Sequence, residues 1–65
     1  MTFAKKILDF RAKNNLTQKQ LSEIFGVSAL MIHKYEASSS KPSSKNKIIF
    51  ENKMKEWEEK KNESL

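Results

Sequence analysis

Sixty-five residues with a net charge of +5, no cysteine and one histidine make one small domain, without disulfides and without the four Cys or His ligands of a structural zinc site. No apolar run approaches the roughly 18 residues of a membrane span, and Met1 to Lys6 carry no apolar signal-peptide segment, so a cytoplasmic chain is expected. Residues 1–41 hold seven Lys/Arg against three Asp/Glu, while residues 42–65 hold six against five, and a basic domain suits either a polyanion such as nucleic acid or plain solubility.

Gly26 and Pro42 are the only strong punctuators, and alternating β-branched runs are absent. The expected fold is therefore all-α. A first amphipathic helix is predicted over residues 2–13. Phe3, Ile7, Phe10 and Arg11 share one face, Thr2 can cap the start, and Asp9 with Lys13 is an i,i+4 pair. Asn14-Asn15 ends it, because Asn tolerates the left-handed conformation. A second helix is predicted over residues 17–25. Thr17 and Gln20 form a capping box, Leu16 can staple onto Leu21, and Leu21, Ile24 and Phe25 face inward. Gly26 stops it at a position that suits positive φ.

Ser28 caps a third helix over residues 29–36, with Ile32 and Tyr35 on its inner face. The stretch Ser38 to Ser44 has loop composition, and Ser43 or Ser44 can cap a last helix over residues 44–61. Phe50, Met54 and Trp57, flanked by Ile48 and Ile49, give that helix an apolar stripe. Glu51-Lys55 and Glu56-Lys60 are favourably oriented pairs. The tail from Asn62 to Leu65 is expected to fray. The stripe either packs wholly on the first three helices or offers its distal half, around Met54 and Trp57, to a partner. The expectation is a small bundle of four helices. Residues 1–43 form a helix-turn-helix domain, and residues 44–65 form a C-terminal helix that packs on it and extends beyond.

Two short helices joined by a Gly-containing turn make a helix-turn-helix, here from Thr17 to Glu36. The second helix must cross the first steeply. That demands a small residue at the approach (Ser22), a glycine in the turn (Gly26) and apolar residues at fixed offsets (Leu21, Phe25, Val27, Ile32, Tyr35).

The run Ile7, Phe10-Arg11, Asn14, Leu16-Thr17-Gln18, Leu21-Ser22, Phe25-Gly26-Val27-Ser28, Ile32 and Tyr35-Glu36, with Pro42 beyond, resembles the Cro/CI-type (Xre-type) helix-turn-helix family. The resemblance covers roughly residues 5–43. It implies a regulator whose third helix enters the major groove of double-stranded DNA. It places Ala29, Leu30, His33 and Lys34 at base edges, with Ser28 at the rim and Met31 in the same turn. It places Gln18 at the phosphate backbone, and it matches Arg11 and Glu36 to a structural salt bridge between the first and third helices. It also implies a homodimer, at least on DNA. Lys19, Lys34, Lys41, Lys45 and Lys47 are candidate phosphate contacts, which position the protein without reading sequence.

The first turn of the third helix departs from the family, which usually places hydrogen-bonding side chains there. Ala29, Leu30 and Met31 cannot make bidentate contacts to bases, although a thymine methyl suits them. Leu30 or Met31 can instead serve the core. Ile32 and Tyr35 already fill the inner face, so Leu30 is expected to be exposed. An exposed apolar cluster on a small domain often marks a protein-binding surface. The second reading is therefore an antirepressor, which binds a repressor protein through its third helix.

An enzyme is not expected. His33 is the lone histidine, the carboxylates are scattered, and no Gly-rich phosphate loop is present. No cofactor or metal is implied. Glu56, Glu58, Glu59 and Glu63 disfavour an anionic membrane surface as a partner for the last helix.

Overall fold

The computed structural model describes residues 2–63. It has four helices: α1 (Phe3–Asn14), α2 (Gln18–Phe25), α3 (Ala29–Glu36) and α4 (Ser44–Glu63). Each boundary follows from a local signal. Thr2 Oγ1 accepts from the Lys5 N–H at 3.2 Å, and Asn15 closes α1 in the left-handed region at φ 56°. Thr17 and Gln20 bond reciprocally, at 3.0 and 2.8 Å, which satisfies two N–H groups that have no acceptor inside the helix. Gly26 at φ 75° ends α2, and the Ser22 carbonyl accepts from the N–H groups of both Gly26 and Val27 at 2.8 and 3.0 Å. Ser28 caps α3 through the Met31 N–H at 3.1 Å.

Of the two candidate caps for α4, Ser43 serves: its hydroxyl accepts from Asn46 at 3.2 Å and its carbonyl from Lys47 at 2.8 Å. The helix continues past the expected end at Lys61, so Asn62 and Glu63 are helical. The remainder of the tail expected to fray, Ser64 and Leu65, lies outside the described residues.

Ile7, Leu21 and Ile32 are completely buried, and Phe10, Phe25, Tyr35, Phe50 and Met54 complete the core around them. One ring from each helix meets in a cluster. Phe25 and Phe50 stack at 4.5 Å, Phe3 stands edge-on to Tyr35 at 5.7 Å, and Tyr35 lies 6.0 Å from Phe50. Rings in such arrangements add to the energy of area burial alone. Ser22 is buried beside this core, and its hydroxyl donates to the Lys19 carbonyl at 2.6 Å.

Helix α4 lies alongside α1 and runs in the same direction. Phe3 meets Phe50, and seven residues further on Phe10 meets Trp57 edge-on at 5.7 Å. Lys6 pairs with Glu51 at 2.7 Å, and seven residues further on Lys13 pairs with Glu58 at 3.3 Å. Lys61 donates to Asn14 at 3.2 Å and sits 5.6 Å over the Trp57 ring. The distal half of α4 is thus engaged within the chain: Met54 is buried and Trp57 half-buried. Ile48 and Ile49, which flank the stripe, are exposed.

This arrangement corrects two expected pairs. Asp9 pairs with Lys5 at 3.3 Å and not with Lys13, which reaches Glu58 instead. Glu51 turns to Lys6 and not to Lys55. Seven residues are two helical turns, so the cations of α1 line up with the carboxylates of α4.

Candidate nucleic-acid interface

The outward side of α3 follows from its inward side. Successive residues turn by about 100°, so burial of Ile32 and Tyr35 sends Leu30, His33 and Ala37 outward, with Ala29 and Lys34 on the flanks. All five are exposed. Leu30, near the middle of this face, is 62% exposed, the largest value among the exposed large apolar side chains. Met31 is different. It is half-buried and packs against the core, in line with the core role that the sequence also allows it. Its unbranched side chain suits the irregular edge of a core. The Ser28 hydroxyl, at the rim, is occupied as an acceptor by the cap.

A network fixes α3 against the helices before it. Arg11 Nη1 donates to both carboxylate oxygens of Glu36, at 2.7 and 2.6 Å. Arg11 Nε donates to the Leu16 carbonyl at 3.1 Å, so one guanidinium holds both α3 and the α1–α2 linker. Gln18 Nε2 adds a third bond to Glu36 at 2.8 Å. The Glu36 side chain is only 9% exposed and that of Arg11 24%. Nothing in the sequence spacing pointed to the Gln18–Glu36 bond, because the two residues are eighteen apart and meet only once α2 and α3 have crossed. It places the Gln18 side chain against α3. The backbone N–H groups of Gln18 and Lys19 open the first turn of α2, where a helix has no acceptor of its own and favours an anionic oxygen.

Lys19, Lys34, Lys41 and Lys45 are exposed, and Lys47 is half-buried. Lys41 and Lys47 share a cleft of about 490 Å3 with Thr2, Phe3, Tyr35 and Ser40, between the start of α1 and the α3–α4 loop. That loop opens with Ser38 in the left-handed region at φ 60°, and Ser39 returns its N–H to the Lys34 carbonyl at 3.0 Å. The other side of the molecule is electrically mixed. A groove between α1 and α4 is lined by Lys6, Lys13 and Lys55 together with Asp9, Glu51 and Glu58.

Among the described residues, no three His, Cys, Asp or Glu side chains group so as to hold a metal ion. No described helix is long and apolar enough to cross a membrane. A protein-family model described as helix-turn-helix matches residues 7–48. No curated protein and no solved structure matches the chain.

Proposed function

The chain belongs to the Cro/CI-type (Xre-type) helix-turn-helix family of DNA-binding regulators, and from that premise we propose that it controls transcription by laying α3 in the major groove of double-stranded DNA. The observation that carries this reading is the capped, firmly braced α3, whose outward face is exposed beside Lys34. Ala29, Leu30, His33 and Lys34 meet base edges, with Ser28 at the rim. Lys19, Lys41 and Lys45, with the open N–H groups at the start of α2, meet phosphates. Arg11 and Glu36 hold the angle between the helices and touch no DNA. Two copies occupy near-palindromic half-sites about one helical turn apart, in the cytoplasm.

The test is a titration of the purified chain into labelled duplex DNA across a salt series. Affinity falls as salt rises, because phosphate contacts release counterions. Lys41→Ala or Lys19→Ala lowers the salt slope by about one for each phosphate that is no longer neutralised. Binding that is unaltered by both changes refutes the assignment.

A second reading is favoured by one observation, the 62% exposure of Leu30 beside exposed Ala29. In that reading the chain is an antirepressor, and the same face covers a repressor protein. Salt-insensitive binding to such a repressor, without affinity for duplex DNA, would establish it in place of the first.

A further inference from the structure

We propose that α3 selects its DNA site through the C5-methyl group of thymine, with Leu30 as the specificity-determining residue. The proposal rests on the reading that α3 lies in the major groove. Its basis is an inventory of what the exposed face offers. Of the five outward residues, Ala29, Leu30 and Ala37 carry no hydrogen-bonding group, and only His33 and Lys34 do. Gln18, at the start of α2, donates an amide N–H to Glu36 at 2.8 Å. No Asn or Gln therefore projects from α3 to pair with adenine, and no Arg to fork onto guanine. Lys34, on the flank and a turn further along, and His33 are the side chains that can donate to guanine.

Leu30 occupies the first turn, where residues of such a helix approach the base edges most closely. At 62% exposed, and outside the group of residues packed on the core, it still has more than half of its surface to bury. The groove edge of a base pair carries only one apolar group, the thymine methyl. Charge complementarity makes DNA the occupant: Lys34 stands on the flank of the face, Lys19 lies in the first turn of α2 and Lys41 in the loop after α3, all three exposed, and the chain carries +5.

The experiment uses the full chain. Duplexes are selected from a random-sequence pool, and each thymine of the winning site is exchanged in turn for deoxyuridine, which removes the methyl and keeps the base pair. One or two exchanges should weaken binding about fourfold each, the size expected for one buried methyl. Leu30→Ala should bind the thymine duplex more weakly and be indifferent to those same exchanges, with an unchanged thermal melt because Leu30 is exposed.

Selective binding that tolerates every exchange overturns the thymine proposal and leaves DNA reading intact. Equal exchange penalties in the natural chain and in Leu30→Ala also overturn it, since another residue then senses the methyl. Failure to enrich any duplex, or binding of a repressor protein in its place, removes the thymine proposal together with the DNA-binding reading on which it rests.

Discussion

Removing Arg11 should damage the fold more than removing Glu36, although the two form one ion pair. Arg11→Ala leaves the Glu36 carboxylate, 9% exposed, with Gln18 as its remaining partner, and takes the donor from the Leu16 carbonyl. Glu36→Ala leaves the Arg11 guanidinium, which is 24% exposed and still bonded to Leu16. Stranding one member of a buried pair costs about 3–5 kcal/mol. Arg11→Ala belongs at the upper end of that range, and Glu36→Ala, whose stranded charge reaches water, at or below the lower end. A chain of this length has a total stability of about 3–10 kcal/mol, so either change consumes a large share. Urea melts followed by the fluorescence of Trp57, the only tryptophan, report the loss, because its ring packs against Phe10 at 5.7 Å. Helical circular dichroism should give the same midpoints. The double variant Arg11→Met, Glu36→Leu should recover much of the loss, since an apolar pair strands no charge. Losses below about 1 kcal/mol that simply add would mean that the pair behaves as an exposed one. A larger loss for Glu36→Ala than for Arg11→Ala would refute the ordering.

Two turn positions should respond in opposite directions. Ser38 has φ 60°, and Ser38→Gly should raise stability by up to about 1 kcal/mol by relieving the left-handed cost to a side chain. Gly26 has φ 75° and open space around an added Cβ. Gly26→Ala should therefore cost about 1–2 kcal/mol from backbone strain alone, with no clash to relieve. Denaturant midpoints decide both, and a stabilising Gly26→Ala would contradict the backbone argument. Acid should weaken the α1–α4 seam. The hydrogen bond from Lys6 holds the Glu51 carboxyl below its ordinary value of 4.5, burial opposes this, and the charges of Lys6 and Lys47 add to the lowering. A depressed carboxylate contributes stability above its unfolded value and loses it as pH falls through the folded one. Melting temperatures measured from neutral pH downward should fall through that acid range. Glu51→Gln should fall less steeply there, and identical slopes would assign the acid loss to other carboxylates.

Much of the architecture was legible because its signals act within one helical turn. Thr2, the Thr17–Gln20 box, Gly26 and Ser28 satisfy or release backbone groups three or four residues away, so they mark helix ends whatever surrounds them. Ile7, Phe10, Leu21, Ile32 and Tyr35 define inner faces by spacing alone, and exposure of Leu30 follows once Ile32 and Tyr35 point inward. Tertiary structure decided how those faces meet. The parallel seam of α1 and α4 redirected Lys13 and Glu51 to partners 45 residues away. Its trace in the sequence is the shared seven-residue step of Phe3 and Phe10, Phe50 and Trp57, Lys6 and Lys13, and Glu51 and Glu58. That step says nothing about the offset between the two helices. Capture of Gln18 by Glu36 leaves no such trace, because it depends on the crossing of α2 and α3. A local hydrogen bond is set by a few backbone angles, whereas a cross-helix contact forms only after burial of the common core has fixed each helix in rotation and position.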